Sequence, residues 1–181
     1  MKALVAAGAA LLGAALSAFP GMALAQAGSA GSLCQITAEA VLFTCRVDAK
    51  TVSICGQQNK QGQDAAGADQ AGGVYRYGQQ GHVELEIIDL HRAFESWAGG
   101  GETQVYADTP MHRYIVYDRM VRTGFDKEGH SLSQITQGLL VRSGGRTISS
   151  RHCTYPVGAE PPAFDQRQIE NLLPQGKYVP H

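Results

Sequence analysis

The sequence of 181 residues lacks the short motifs that commonly hold a metal ion or a catalytic nucleophile. Its four cysteines form no Cys-x-x-Cys pair, its six histidines form no His-x-x-x-His pair, and there is no Gly-x-Ser-x-Gly elbow. Glu84 and Glu86 resemble the carboxylate pair of a glycosidase, but strand alternation turns both toward water. We therefore expect no catalytic residue, no metal site and no cofactor.

An excess of positive charge is also missing. The 15 Lys and Arg residues are balanced by 16 Asp and Glu residues, which gives a net charge of −1, and without Lys2 the counts of 14 and 16 give −2. A nucleic-acid binder needs a basic stripe that releases phosphate counterions. The sequence therefore excludes nucleic acid as a partner, and it argues against an anionic membrane surface in the same way.

Long hydrophobic runs are absent except at the start of the chain. Lys2 precedes an almost wholly apolar run over residues 3–18, and Ala23-Leu24-Ala25 forms a small-x-small cleavage site before Gln26. This pattern predicts a signal peptide over residues 1–25. No cysteine follows the site directly, so we expect an exported protein, periplasmic or secreted, with no membrane anchor after signal cleavage.

Composition divides the remainder of the chain into parts. Residues 26–33 are small and predict a flexible lead-in, and residues 34–155 predict a β-domain. Within that domain, residues 56–73 contain no aromatic or branched apolar side chain and predict a mobile loop, because they cannot offset their ordering entropy by burial. Residues 156–181 form a Pro-rich tail in which Phe164, Ile169 and Leu172 predict one short helical turn.

Short alternating segments separated by turn residues predict strands. They cover residues 41–46, 51–55, 74–77, 82–88, 104–107, 113–120, 135–142 and 146–152, with Gly144-Gly145 as a hairpin turn. Leu90, Phe94 and Trp97 recur at helical spacing and predict a short helix or an aromatic loop over residues 89–97, and residues 124–133 predict a turn-rich stretch. The expected fold is all-β: a small antiparallel β-barrel or sandwich of seven or eight strands, with at most one or two short helices.

The four cysteines predict two disulfides, because an even number of cysteines in an exported domain is typical of crosslinks. They are Cys34, Cys45, Cys55 and Cys153. A hairpin turn centred near Ala49 sets Cys55 opposite about Phe43, which is far from Cys45 for a bridge and favours the pairs Cys34–Cys55 and Cys45–Cys153. A turn at Lys50 sets Cys45 opposite Cys55 and leaves Cys34 for Cys153, and the spacing leaves both registers open.

Tyrosine and arginine are the residue types that could form a recognition surface, since both are enriched at interface hot spots. The predicted binding residues are Tyr75, Arg76, Tyr77, Tyr114 and Tyr117. Tyr106, Arg113 and Arg119 extend the same set. Core packing of the tyrosines is the competing interpretation, because tyrosines commonly fill the faces of β-sheets.

Several short segments carry a resemblance to known proteins. They are Phe43-Thr44-Cys45, Lys50-Thr51-Val52-Ser53-Ile54-Cys55-Gly56, Tyr75-Arg76-Tyr77-Gly78, a strand with glutamates, Gly145-Arg146 and a last strand ending in Cys153. Their order resembles a group of small secreted bacterial proteins of unknown function. The architecture also resembles the periplasmic MliC-like inhibitors of c-type lysozyme, and this likeness implies a Cys45–Cys153 bridge. Thr147 stands where their Ser-Gly-x-x-Tyr loop has tyrosine, so the likeness implies architecture alone.

These observations favour a non-enzymatic, disulfide-stabilised β-domain that binds another macromolecule. The expected partner is a protein or glycan of the cell envelope, and the role is that of an inhibitor or an envelope accessory protein. The alternative is an envelope hydrolase or small-ligand binder whose site assembles only in three dimensions. A purely structural role in envelope stability is a third interpretation.

Overall fold

A computed structural model describes residues 31–35, 37–57, 72–159 and 161–181. The predicted signal peptide and most of both the lead-in and the loop lie outside the described residues. The described part contains nine strands and one helix: β1 Glu39–Val47, β2 Lys50–Gln57, β3 Gly73–Gln79, β4 His82–Ile88, β5 Leu90–Trp97, β6 Gly100–Asp108, β7 Arg113–Phe125, β8 Ser131–Ser143, β9 Arg146–His152 and α1 Gln166–Leu172.

The strands form two antiparallel sheets in which neighbours in sequence are neighbours in space. Sheet A has the order β1-β2-β3-β4, and sheet B has the order β5-β6-β7-β8-β9. The all-β prediction is confirmed, but the sheets are not closed into a barrel, and the described strands number nine rather than seven or eight. Asp89 alone separates the sheets, with a left-handed φ of 70° that Asp tolerates better than most residues.

The prediction of a short helix or an aromatic loop over residues 89–97 is wrong in both forms. Leu90–Trp97 is strand β5, which pairs with β6 from Leu90 opposite Ala107 to Trp97 opposite Gly100. A segment of this length has little helical stability of its own, and pairing with β6 satisfies its backbone groups. The helical spacing of its three large apolar residues was therefore coincidental.

The predicted strand and loop limits need three further corrections. Leu33, placed in the flexible lead-in, is buried and donates its backbone N–H to Ser53 Oγ at 3.0 Å. Gly56 and Gly73, placed in the mobile loop, belong to β2 and β3. Residues 124–133 are not one turn-rich stretch, because β7 and β8 continue into it from both sides.

The β1–β2 hairpin turns at Asp48 and Ala49, with Val47 opposite Lys50. This strand register differs by one residue from the register of the favoured prediction. An irregularity between Val41 and Phe43 shifts the register by another residue, so that Cys55 lies opposite Val41 rather than Phe43. Both shifts move Cys55 farther from Cys45. The structure contains the favoured bridges, Cys34–Cys55 and Cys45–Cys153, with sequence separations of 21 and 108.

One hydrophobic core lies between the sheets and the C-terminal part of the chain. Sheet A contributes Phe43 and Ile54, and sheet B contributes Val105 and Val116 to the same cluster of buried side chains. Helix α1 inserts Ile169 into this cluster, which confirms the predicted short helix in the tail. The tail is therefore an integral part of the core.

Residues 174–181, here called the C-terminal strap, cover the outer face of sheet B. The strap begins beside β5. There the Arg92 N–H donates to the Pro174 carbonyl, and the Gly176 N–H donates to the Arg92 carbonyl. It then crosses β6, where Val179 bonds to the Gln104 side chain through both its N–H and its C=O. Tyr178 and Val179 pack on a second apolar cluster on this face.

Candidate functional site

The five residues predicted to bind a partner do not share one exposed face. Tyr75 belongs to the core, and Tyr77 and Tyr114 are half-buried against the same core. Tyr117 is buried on the opposite face of sheet B, beside the C-terminal strap, where its ring centroid lies 4.9 Å from that of His181. The structure therefore covers Tyr75 and Tyr117 and leaves Tyr77 and Tyr114 partly exposed.

Arg76 is buried on the outer face of sheet A beneath residues 31–35. Its guanidinium binds Glu39 through two hydrogen bonds of 2.5 and 2.9 Å, and its Nε donates to Glu86 at 2.7 Å. The hydrogen bond to Glu39, assisted by Glu86, outweighs desolvation and raises the pKa of Arg76. Burial acts to raise the pKa of Glu39, but the hydrogen bonds from Arg76 and the Gln35 N–H lower it overall. Arg76 thus links β3 to β1.

A second titratable group lies under the C-terminal strap. The side chain of Glu102 has no solvent exposure, and its Oε1 lies 2.7 Å from Gln104 Nε2 and 2.6 Å from His181 Nε2. Arg119 Nε lies 3.5 Å from the other carboxylate oxygen. Because His181 covers the carboxylate, the arrangement holds the strap on the sheet and does not present Glu102 to a substrate.

The remaining tyrosine and arginine residues of the predicted set are held by local contacts. Arg113 pairs with Asp108 at 2.6 Å and lies over the Tyr106 ring, 4.4 Å from its centroid. Arg119 lies over the ring of Trp97 at 5.3 Å. These contacts stabilise the outer face of sheet B.

Two groups of potential metal ligands occur among the described residues. In the first, Glu39 lies beside Cys34 and Cys55, which are joined as a disulfide and offer no thiolate. In the second, Asp126, Glu128 and His130 lie at the turn between β7 and β8. The Asp126 carboxylate accepts a hydrogen bond of 2.7 Å from the backbone N–H of His130. This bond, together with others from the turn, lowers the pKa of Asp126. These bonds shape the turn.

A group of exposed large apolar side chains lies on the hairpin of β7 and β8. We call residues 120–135 the β7–β8 arm, because it projects beyond its neighbours: β6 pairs with β7 only as far as Val121, and β9 pairs with β8 only from Gly138 onward. Arg122 still donates its backbone N–H to the Gly99 carbonyl, and over residues 123–133 the two strands of the arm pair only with each other, as far as the described chain shows.

Four large apolar side chains of the arm, together with Phe94 on β5, are exposed by 47% to 63%. The four are Met120, Phe125, Leu132 and Ile135. Met120 and Ile135 are opposite each other across the ladder and therefore share one face. Phe94 and Met120 line one groove of about 230 Å³. Leu132 is three residues from Ile135 along β8 and therefore lies on the opposite face of the arm. Single exposed apolar residues are ordinary, but several within one region are typical of an interaction surface.

A second groove runs beside β8. It has a volume of about 380 Å³ and is lined by Ile135, His152, Tyr155 and Pro161 among others. Burial raises the pKa of the Tyr155 phenol, which donates to the side chain of Gln137 and stays protonated. The groove therefore has an apolar wall, and its floor carries an uncharged, hydrogen-bonded phenol.

Sequence reasoning missed all five of these apolar residues. Helical spacing places Phe94 in a short helix or an aromatic loop, and turn residues predict a turn-rich stretch over residues 124–133. The available signal is that residues 131–136 contain Leu132 and Ile135 but no charged residue, proline or glycine, although a spacing of three residues places the two side chains on opposite faces of a strand.

Comparisons with known proteins assign no relative. No family model, no curated protein and no solved structure matches this chain. Within the described ranges, no helix has both the length and the hydropathy needed to cross a membrane.

Proposed function

We propose that this chain is an exported β-domain that binds another protein of the cell envelope, as an inhibitor or an accessory protein. The observation that carries the proposal is the exposed apolar surface on the β7–β8 arm and Phe94. A projecting hairpin that exposes methionine, phenylalanine, leucine and isoleucine costs free energy in water unless a partner covers it. The methionine, leucine and isoleucine side chains of this surface favour a protein partner over a glycan.

Export is the first part of the proposal. Two disulfides agree with an oxidising compartment, since cytosolic thiols are kept reduced. The signal pattern before Gln26 and the resemblance to small secreted bacterial proteins support the same assignment. Intact-mass analysis of the natively produced protein tests it: we expect a chain that begins at Gln26 and has no free thiol. A full-length chain with four free thiols would refute export.

The rigid frame around the arm supports binding rather than catalysis. The two buried pairs of titratable groups described above, Arg76 with Glu39 and Glu102 with His181, are covered and bonded to each other. The exposed surface is instead apolar and lies on strands anchored in the core of sheet B. Such a surface offers shape and burial, which are the sources of protein–protein affinity.

A site-specific crosslinking experiment tests the binding surface. A photoreactive amino acid at Met120 is compared with the same amino acid at Ile148, an exposed apolar residue on β9 outside the arm. Exposure of the native cell envelope to light should give a discrete protein adduct from position 120 and none from position 148.

A functional control accompanies the crosslinking. The double variant Met120→Lys, Ile135→Lys should lose capture of the crosslinked protein, whereas Ile148→Lys should retain it. No adduct from the arm, together with turnover of an envelope glycan, peptide or ester by the purified protein, would overturn the proposal and favour the hydrolase.

A further inference from the structure

The outer edge of β8 is an unpaired hydrogen-bonding edge. β9 pairs with β8 only over Gly138–Ser143, and the Cys153 N–H bonds to the Gln137 carbonyl. In the part of the chain that the structure describes, no strand pairs with this edge at residues 131–136. Every second residue along a free edge presents an N–H and a C=O outward, ready to pair with another strand.

This edge lacks the charged and proline residues by which proteins usually protect a free strand. Its sequence, Ser131-Leu-Ser-Gln-Ile-Thr136, has no charged residue and no proline. By contrast, β9 carries Arg146 and Arg151. Charges and prolines on exposed edges prevent pairing with other chains, so an uncharged edge of this length is suited to pairing.

The two ends of the free edge differ in charge. At the tip of the arm, Asp126 and Glu128 outnumber Lys127, and His130 is bonded to Asp126. At the base, β9 ends with Arg151 and His152 and carries no acidic residue. Arg151 contacts Asp48 of the neighbouring turn at 3.1 Å, but both side chains are more than half exposed, so this contact exchanges easily with others.

An antiparallel second copy of β8 matches this edge along its whole length. With Ser133 opposite Ser133 of the second copy, Leu132 faces Gln134 and Ser131 faces Ile135 of that copy. The residues that precede Ser131 in the second copy form its acidic tip. This tip then lies in line with the end of β9, next to Arg151 and His152. Each tip meets the base of the other copy, as a two-fold contact requires.

We propose that the protein forms a two-fold dimer by antiparallel pairing of β8 with β8 of a second copy. The two five-stranded sheets become one continuous sheet of ten strands. Edge pairing uses backbone groups and leaves the faces of the sheet open. The apolar face that carries Met120 and Ile135 therefore continues across the two-fold axis, and the dimer does not depend on the partner proposed above.

Opposite charges placed on the two-fold axis give a direct test. Ser133→Lys and Ser133→Glu each put like charges directly opposite each other in the dimer, and the side chain of Ser133 is exposed, so folding is preserved. Ser150 is an exposed serine on β9, and Ser150→Lys and Ser150→Glu are the matched controls. Sedimentation equilibrium of the oxidised protein over a concentration series measures the dimer, and circular dichroism verifies the fold of each variant.

We expect the unmodified protein and both Ser150 variants to form dimers with similar dissociation constants. Each Ser133 variant alone should show a dissociation constant raised by about tenfold or more, because like charges directly across a ladder repel. An equimolar mixture of the two Ser133 variants should recover dimers, now containing one copy of each. A monomer at every concentration, equal disruption by the Ser150 variants, or no recovery in the mixture would overturn the proposal.

Discussion

Breaking the pair between Arg76 and Glu39 should destabilise the protein strongly. The two side chains are only 4% and 5% exposed, and the guanidinium meets both carboxylate oxygens. Arg76→Met leaves the Glu39 carboxylate buried without its cation, and Glu39→Gln removes the anion that compensates Arg76. Removing one partner of a buried pair typically costs about 3–5 kcal/mol. Arg76→Met should fall in this range, and Glu39→Gln should cost less because Glu86 also binds Arg76.

The assay is equilibrium unfolding in urea with both disulfides intact, combined in a double-mutant cycle. The double variant Arg76→Met, Glu39→Gln removes both charges of the pair and should cost less than the sum of the two single changes, since neither charge of the pair is left buried alone. Lys50→Met is the control, because its pair with Glu84 is partly exposed and exposed ion pairs contribute little to stability.

The pH dependence of the same cycle has a definite sign. The folded-state pKa of Glu39 lies below the ordinary 4.5, so its carboxylate contributes stability that is complete above that value and is lost as pH falls through the folded-state pKa. The difference in unfolding free energy between the unmodified protein and Glu39→Gln should therefore be constant at neutral pH and shrink in acid. Additive single changes, or a difference that grows in acid, would refute the reasoning.

Two further changes probe the crosslinks and the tail. Replacing both cysteines of one bridge by alanine should cost more stability for Cys45–Cys153 than for Cys34–Cys55, because the loops of 108 and 21 residues differ by about 1.5 kcal/mol in closure entropy. Thermal unfolding of the two double variants measures the two losses, and a larger loss for Cys34–Cys55 would contradict the prediction. Ile169→Ala should cost about 2–5 kcal/mol of stability, since the side chain is buried in the shared core. The control Glu170→Ala changes an exposed neighbour and should alter stability little. Equal losses for the two variants in urea unfolding would show that the tail does not belong to the core.

Local patterns in the sequence were sufficient for most of the β-structure. Alternation of apolar and polar residues predicted strands at eight of the positions where the structure has them, and four cysteines in a chain with a signal pattern predicted two bridges. The favoured bridge pairing survived an error in hairpin register, because both deviations moved Cys55 away from Cys45.

The same patterns failed where a segment's neighbours decide its state. Leu90–Trp97 became a strand because β6 supplies hydrogen bonds along its whole length. Tyr75 and Arg76 are adjacent in sequence, yet one side chain enters the core and the other is covered by residues 31–35 on the opposite face. Residue type alone could not distinguish a tyrosine or arginine that binds a partner from one that binds its own fold.

By itself the amino-acid sequence determined the strand-forming character of the chain and the number of its crosslinks, because strand periodicity and cysteine content are local properties. Only the tertiary structure decided which faces are covered, that β7 and β8 extend beyond their neighbours, and that the edge of β8 is free. Coverage depends on how far each strand reaches relative to segments distant in sequence, and periodicity within one segment contains no information about that reach.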